Sequence, residues 1–454
     1  MSWVEEEFQT IDVGDQRLNN RFTHIVESLG FAPGKTIPQT FKSWGEIKAC
    51  YNFFSNDRVS DQKLLRPHTE KTIDRIKEHP VVLLPSDTTE INYSAKEAMV
   101  GKERLVYGEG IWIHSTIAVT PERLMLGIAD VNFWHRKPKV EGISRDKKPI
   151  EEKESYRWIQ SYLRACEIAR KAPGTLVINV TDREGDIIEL FETAHEQAKL
   201  GPMAYFITRA RHDRSFQSDD GKKSEKKLIQ RLKEEPPLGE IEFSIPSTEK
   251  RVGRMVKQQI KAIQMTVKAE STYKKTKKAI VTAVMAIEEN PPEGEAPLTW
   301  FFITNLAING FENAVNVVKY YLCRWEIEIF FKVLKSGCKV EERQLQTTDR
   351  MKALIITLMI LSWRVMYTMM LGRVSIEMST AEVFEESEWK SVYKIANPKN
   401  PLPKKPPKLG DFIIMIAKLG GYIDKNKAEP PGVKTMWKGM ARMADFAIAW
   451  EAFG

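Results

Sequence analysis

Two short apolar runs, each closing on an acid, constrain the fold of this chain more than any other feature. Val81-Val82-Leu83-Leu84 leads into Ser86-Asp87-Thr88-Thr89, and the run TLVINVT at 175–181 leads into Asp182-Arg183-Glu184. Short apolar runs bounded by turn residues predict strands buried on both faces, as in a sheet covered by helices. Each would deliver an aspartate at its carboxyl end, where ligand chemistry gathers in α/β folds. A lone aspartate there is more often a turn or helix cap than a ligand, so the pair gains meaning only from what it meets.

Further strands are predicted at 111–119 and 123–131, a long charged helix at 151–171, and a short strand at 204–208 ahead of Arg209 and Arg211. Residues 1–70 read as a helical domain. Leu18, Phe22, Ile25, Val26 and Leu29 recur at helical spacing up to Gly30, and after Pro33-Gly34 so do Trp44, Ile47, Tyr51 and Phe54. Arg17, Arg21, Lys35, Lys42 and Lys48 lie on or near these helices, which suits a DNA-binding head, although most such side chains in proteins are only solvated. From about 212 to 300 the chain turns basic, turn-rich and strand-like before Trp300-Phe-Phe-Ile-Thr304, predicting a β insertion whose ends return to the main sheet. Helices are predicted over 311–336 and 349–371. A Pro/Lys-rich stretch at 397–408 can continue neither a helix nor a central strand, and leads to a helical tail at 409–454 with Trp437 and Trp450. The expected domains are thus 1–70, 71–375 and 376–454.

At 454 residues the chain is too long for one small binding module, and 42% hydrophobic with 29% charged residues excludes wholesale disorder or a fibrous repeat. Charge is unevenly placed. Between Lys250 and Lys278 ten basic residues (Lys250, Arg251, Arg254, Lys257, Lys261, Lys268, Lys274, Lys275, Lys277, Lys278) face one acid, Glu270, while the whole chain carries only +8. The rest is therefore nearly neutral, and one concentrated basic segment suits a polyanion met at a defined place. A solvated lysine-rich hairpin would give the same count. Cys50, Cys166, Cys323 and Cys338 are scattered and make no metal or disulfide pattern, which fits a reducing compartment. The amino terminus, MSWVEEEF, is acidic where an export signal needs basic residues, so a cytoplasmic, nucleoid-associated location is expected. The apolar stretch 353–371 contains Arg364, Ser362 and two threonines, which predicts a buried core helix rather than a membrane span.

The remaining pattern is Tyr321-x2-Arg324-x3-Glu328-x6-Lys335. On one continuous helix at about 100° per residue the four side chains fall within about 60° of one another. Taken alone this is a solvated stripe with a weak i,i+4 pair. Beside Asp87 and Asp182, however, Glu328 could complete three hard oxygen ligands of the kind that hold Mg2+. Two such ions roughly 4 Å apart serve in-line phosphoryl displacement.

With these residues in order, the chain resembles the DDE transposases of bacterial insertion sequences, and within them the hairpin-forming, cut-and-paste subgroup. The likeness extends to Cys50-Tyr-Asn-Phe-Phe54 in the end-recognition domain, Ile111-Trp-Ile-His-Ser115 in the core, and Lys418-Leu-Gly-Gly-Tyr422 with Trp437 near the carboxyl end. It implies an α/β fold: an RNase H-like catalytic core interrupted by a β-strand insertion, with helical N-terminal DNA-binding and helical C-terminal domains. It implies Asp87, Asp182 and Glu328 as metal-binding catalytic residues, Mg2+ as cofactor with Mn2+ as substitute, and Tyr321, Arg324 and Lys335 as a phosphate clamp. Trp300 matches the position that stacks a flipped base, and Arg209 and Arg211 fall where relatives contact DNA. The implied partners are terminal inverted repeats, target DNA and a second protomer in the synaptic complex. Relatives continue past Trp450-Glu-Ala-Phe with a helix that pairs subunits, so pairing through that element is not expected here. His114 and His135 are expected to be structural or peripheral. A catalytically silent transposition inhibitor or domesticated DNA-binding protein, and a structure-selective nuclease of the same fold, are the rival readings; the intact acids weigh against the first.

Overall fold

A computed structural model describes residues 2–31, 33–93, 110–134, 148–217, 223–245, 247, 252–270, 276–423 and 429–453. Lys250, Arg251, Lys274, Lys275 and His135 lie outside them. The chain divides into two compact units: residues 1–75, 88–137 and 326–454, and residues 76–87 with 138–325.

The first unit opens with five helices, α1 (Trp3–Glu7), α2 (Gln16–Phe31), α3 (Ile37–Thr40), α4 (Trp44–Phe54) and α5 (Asp61–Lys77), the last running two residues past Arg75. Their starts are written locally. Ser2 and Ser43 cap α1 and α4, and Glu5 and Glu46 reach back to the capping residues, so that reciprocal bonds satisfy otherwise open backbone donors. α2 buries Phe22, Ile25, Val26 and Leu29, as the spacing predicts. α4 departs from its predicted stripe. Packing of Phe53 on Phe22, with ring centroids 5.7 Å apart, turns Cys50, Phe53 and Phe54 inward. Trp44, 76% exposed, is left outside.

A buried ionic cluster ties α1 to α5. Glu7 and His68, both almost inaccessible, meet at 2.5 Å, and Arg75 grips the same carboxylate through two bonds of 2.9 and 3.0 Å. His68 Nε2 accepts the Ile128 backbone N–H, which fixes the other ring nitrogen as the donor to Glu7. The Arg75 guanidinium lies 4.6 Å from the ring centre of Trp363.

This unit also holds the end of β1 (Val81–Ile91) and the antiparallel pair β2 (Ile111–Val119) and β3 (Met125–Trp134), in the order β3-β2-β1. Against β3 packs α11 (Thr348–Val374), whose Trp363 donates its indole N–H to Met125 O at 2.9 Å. The helix is long and apolar enough to cross a membrane, but 94% of its most apolar window is buried inside the protein, so it is the core helix expected from Arg364 and Ser362. The unit ends with α12 (Glu386–Ala396), α13 (Leu409–Leu419) and α14 (Val433–Phe453), and the stretch 397–408 carries no helix, as its prolines require.

The second unit is built on one sheet with the order β1-β4-β5-β11-β10-β9-β6-β7, β8 also pairing with β9. β4 (Leu176–Thr181) and β5 (Tyr205–Arg209) run parallel to β1, linked by α6 (Tyr156–Lys171) and α7 (Ile188–Ala198). The rest is antiparallel: β6 (Ser215–Gln217), β7 (Lys223–Lys227), β8 (Gly239–Ile245), β9 (Arg254–Glu270), β10 (Thr276–Glu288) and β11 (Thr299–Thr304), with α8 (Leu228–Glu234) between β7 and β8. β11 pairs with β5, setting Phe302 against Arg209, so the strands of the predicted insertion do return to the main sheet. α9 (Phe311–Leu322) follows and leads into α10 (Trp325–Lys332), most of which belongs to the first unit. All four cysteines are buried free thiols.

Candidate active site

β1 and β4 run in constant parallel register from Val81 opposite Leu176 to Pro85 opposite Val180. Carried on by two residues, that register sets Asp87 against Asp182, on strands ~4.8 Å apart. One of the two acids sits differently from expectation. β1 continues to Ile91, so Asp87 lies within the strand rather than at its end. β4 does stop at Thr181, and Asp182 caps a single 3-10 turn by accepting the Glu184 N–H at 2.8 Å. That turn needs Gly185, since a Cβ there would lie 2.2 Å from Thr181 Oγ1.

The turn ends in Asp186, which sequence reasoning missed. Its buried carboxylate accepts the backbone N–H groups of Arg211 and His212 at 2.7 and 2.9 Å and a two-pronged ion pair from Arg214 at 2.6 and 3.1 Å. Asp186 thereby fixes the chain that leaves β5 through Arg209 and Arg211. The acid that follows Asp182 by four residues was the only available signal.

Arg324 reaches Asp87 Oδ2 at 3.3 Å with its side chain 10% exposed. Its guanidinium lies 6.0 Å from the ring centre of Tyr321 and 5.3 Å from that of Trp325. The Tyr321 ring packs against Phe302 at 4.7 Å. Burial pushes the Tyr321 hydroxyl up, against the opposing pull of Arg324 and Arg209, while the Asp182 charge adds to the rise. The hydroxyl is thus a protonated donor at neutral pH, and Asp87, Asp182, Arg209, Tyr321 and Arg324 form one electrostatic neighbourhood in the second unit.

The helix predicted over 311–336 is broken twice. α9 stops at Leu322, and Cys323 and Arg324 make i→i−3 bonds to Tyr320 and Tyr321 at 3.1 and 2.9 Å before α10 begins. After Lys332 the backbone widens into a π-helical turn, Val333–Gly337. The uniform 100° count therefore does not hold across 321–335. Glu328, half-buried, stands on α10 in the first unit, four residues beyond Arg324. Lys335 lies in the π turn, where its ammonium donates to Glu90 O at 2.6 Å and lies 3.6 Å from Glu341.

Among the described residues no three carboxylate, His or Cys side chains stand gathered as a ready-made metal cage. The donor chemistry nonetheless suits Mg2+: all three acids offer hard oxygens, and two follow closely on the paired stretches of neighbouring parallel strands.

Trp300 lies on β11 and stacks on Phe243 with centroids 5.8 Å apart and planes 16° from parallel, so one face of its ring is already covered. His114, 1% exposed, is hydrogen-bonded to Thr88 Oγ1 at 2.9 Å. The amino-terminal basic residues are scattered. Arg17 is 92% exposed and pairs with Asp15, Lys35 is 3.3 Å from Asp445, Lys48 is exposed and Arg21 half-buried. Counting charge along 250–278 overstated what is free. Arg254 pairs with Glu288 and Glu295 at 3.0 and 3.3 Å, and Lys257 with Glu240 at 2.6 Å, because β8, β9 and β10 bring acids from outside the segment alongside it.

Three family models match successive parts of the chain. Transposase DNA-binding matches residues 1–59, Transposase DDE domain matches 191–364, and Transposase Tn5 dimerisation domain matches 360–451. The protein is a DDE transposase, an enzyme of DNA phosphoryl transfer. It carries the DNA-binding and dimerisation domains of the Tn5 type, and so binds DNA and forms a homodimer. The DDE match takes in Glu328 but neither Asp87 nor Asp182.

Proposed function

We propose that the protein moves its element by cut-and-paste transposition, binding terminal inverted repeats and using Asp87, Asp182 and Glu328 to hold Mg2+, or Mn2+ in its place. The observation that carries the reading is Arg324 on Asp87, with the charges of Arg324, Arg209 and Asp182 all acting on the protonated Tyr321 hydroxyl. An anionic phosphate is what a guanidinium, a hydroxyl donor and Arg209 are equipped to hold once Arg324 exchanges one oxyanion for another. The strand neighbours β3-β2-β1 and the parallel set β1-β4-β5 support an RNase H-like core.

In this reading Mg2+ supplies Lewis-acid activation and charge neutralisation at the scissile phosphate. Arg324 offers a planar fork to two phosphate oxygens, Tyr321 a neutral hydrogen bond and Lys335 a point charge. Water first nicks the transferred strand, the freed 3′-OH attacks the opposite strand to close a hairpin, water reopens it, and the 3′-OH joins target DNA. Each step is the same displacement with a different nucleophile, so one set of side chains serves all four. Trp300, backed by Phe243, is the platform for the base turned out at the hairpin. Arg211, Arg17, Arg21, Lys35 and Lys48 contribute backbone contacts to DNA. The reaction belongs in the cytoplasm, at the nucleoid.

Purified protein, Mg2+ and a duplex carrying the ends that flank its own gene should yield double-strand breaks, hairpin ends and joined products. Binding without cutting, or nicks never followed by joining, would overturn the reading. Trp300→Ala is expected to lower the hairpin-to-nick ratio roughly tenfold or more, since base stacking contributes about 1–3 kcal/mol, with first-strand nicking nearly unchanged. Denaturing gels resolve the two products. Arg324→Lys keeps the charge but loses the fork, and single-turnover cleavage should fall about 10- to 100-fold with little change in DNA affinity.

A further inference from the structure

Arg343, 4% exposed, spends its guanidinium on backbone carbonyls alone. Nη1 donates to Lys35 O, and Nη2 donates to Pro33 O at 2.6 Å and to Cys338 O at 2.9 Å. Its buried Nε has no partner among the described residues. Peptide carbonyls carry dipoles but no net charge, so they compensate an enclosed cation less fully than a carboxylate would. Four residues earlier, Lys339 adopts the left-handed conformation, φ 51° and ψ 46°, which a residue with a Cβ reaches only at a cost. Two costly features thus fall within residues 338–343. Such features persist where surrounding contacts over-determine them, and they gather at functional sites.

What this segment joins gives the cost a purpose. Its start closes the π turn, where the Cys338 N–H donates to Val333 O at 2.9 Å. Its middle is a 3-10 turn, Val340–Glu342, that meets the residues just beyond β1. There the Tyr93 hydroxyl donates to Val340 O at 3.2 Å, and Glu341 accepts the Asn92 N–H at 3.1 Å. Glu341 is also the acid 3.6 Å from Lys335. At the end of the segment, Arg343 reaches back to Cys338 and across to the loop between α2 and α3. That loop also presses on the π turn directly, since a Cβ on Gly34 would lie 3.2 Å from Gly337 O. All of these residues belong to the first unit.

We infer that Arg343 is a positioning residue for Lys335: by clipping the Pro33–Lys35 loop to Cys338 it locks the π turn, and so sets where the lysine ammonium stands. This rests on the proposed phosphate contact of Lys335. Arg343, enclosed by protein, acts through that lysine rather than on DNA. A planar fork serves carbonyls on two sides at once, which a single ammonium does not, so charge alone is not what the position requires. Through this clip a loop of the DNA-binding region, residues 1–59, takes part in placing a side chain of the DDE region, residues 191–364.

The test compares the full-length protein with R343Q, R343K and G34A, by hydrogen exchange and by single-turnover cleavage of a duplex bearing the gene's own ends. Amides of residues 333–338 should exchange about tenfold faster or more in R343Q and R343K, while those in the middle of α11 keep their protection. Cleavage should fall about tenfold with DNA affinity within about twofold. In a K335Q background, R343Q should cost less than about twofold more, because a residue that acts through Lys335 has nothing left to place. G34A pushes a methyl against Gly337 O from the loop side. It should reproduce both effects more weakly, and it carries the test if R343Q does not fold. Equal cleavage losses from R343Q with and without Lys335 would assign Arg343 to general stability and overturn the inference, as would unchanged exchange at 333–338. K335Q cutting at the normal rate would instead refute the phosphate contact of Lys335, and exchange at 333–338 would then decide alone whether Arg343 fixes the turn.

Discussion

Glu328→Gln should lower strand cleavage by ~10³-fold or more while leaving DNA affinity within about twofold. The amide keeps the shape of the side chain and removes only its charge, so a carboxylate that helps hold a divalent ion forfeits several kcal/mol of transition-state stabilisation. Single-turnover cleavage of a gene-end duplex, beside a binding titration in Ca2+, separates the two quantities. A variant that still cuts at even a tenth of the normal rate would remove Glu328 from the chemistry. Glu326 is the internal control. It lies two residues away on α10, is 3% exposed, and faces Arg123 at 3.3 Å. Burial raises its pKa, only partly offset by Arg123. Glu326→Gln should therefore change stability rather than chemistry.

Glu7→Gln should destabilise the first unit by about 3–5 kcal/mol, the usual result of breaking a buried ion pair from one side, because Arg75 is left with its charge and no carboxylate. A large fall in thermal midpoint, with the N-terminal helices melting first in hydrogen exchange, is the expected outcome. A shift of only a degree or two would show the cluster to be ornamental. The pH dependence follows from the same contacts. Burial alone would raise the Glu7 pKa, but His68 and Arg75 outweigh it and hold the carboxyl down at about 2, against 4.5. Stability from Glu7 is therefore complete above about pH 4.5 and is lost as pH falls from there towards 2. Burial lowers the His68 pKa despite the attraction of Glu7, so the unfolded chain takes up that proton more readily and stability also declines as pH drops below 6.5. Acid unfolding should thus have two contributions of the same sign, and Glu7→Gln should erase the lower one.

Much of the architecture was legible because it follows from local chemistry. Apolar runs gave β1, β4, β5 and β11, the proline stretch before α13 punctuated the chain, and α2 buried Phe22, Ile25, Val26 and Leu29 of the residues its spacing named, leaving Leu18 half-buried. What escaped depends on partners distant in sequence. Asp87 was placed at a strand end because the apolar run closes just before it, yet β1 carries on to Ile91. Tyr321, Arg324, Glu328 and Lys335 were found by spacing, but no periodicity signals the break at Cys323-Arg324 or the widened turn after Lys332. Trp44 and Tyr51 fitted a helical stripe that the Phe22–Phe53 contact rotated outward. Asp186 and the Glu7–His68–Arg75 cluster were invisible because single charged residues carry no period; only packing across 25 to 68 positions gives them meaning.

The buried thiols have a practical outcome. Burial, only partly offset by Arg21 at Cys50 and by Ser362 and Arg343 at Cys338, pushes Cys50 up to about 12 and Cys338 to about 11, and raises Cys166 as well, while Cys323 is equally enclosed. At neutral pH the native chain therefore offers maleimides almost nothing to react with. A cysteine substituted for a solvent-facing residue would become the sole attachment point for a fluorophore, without first stripping the four natural ones, and paired dyes could then time the assembly of two protein copies on one DNA molecule.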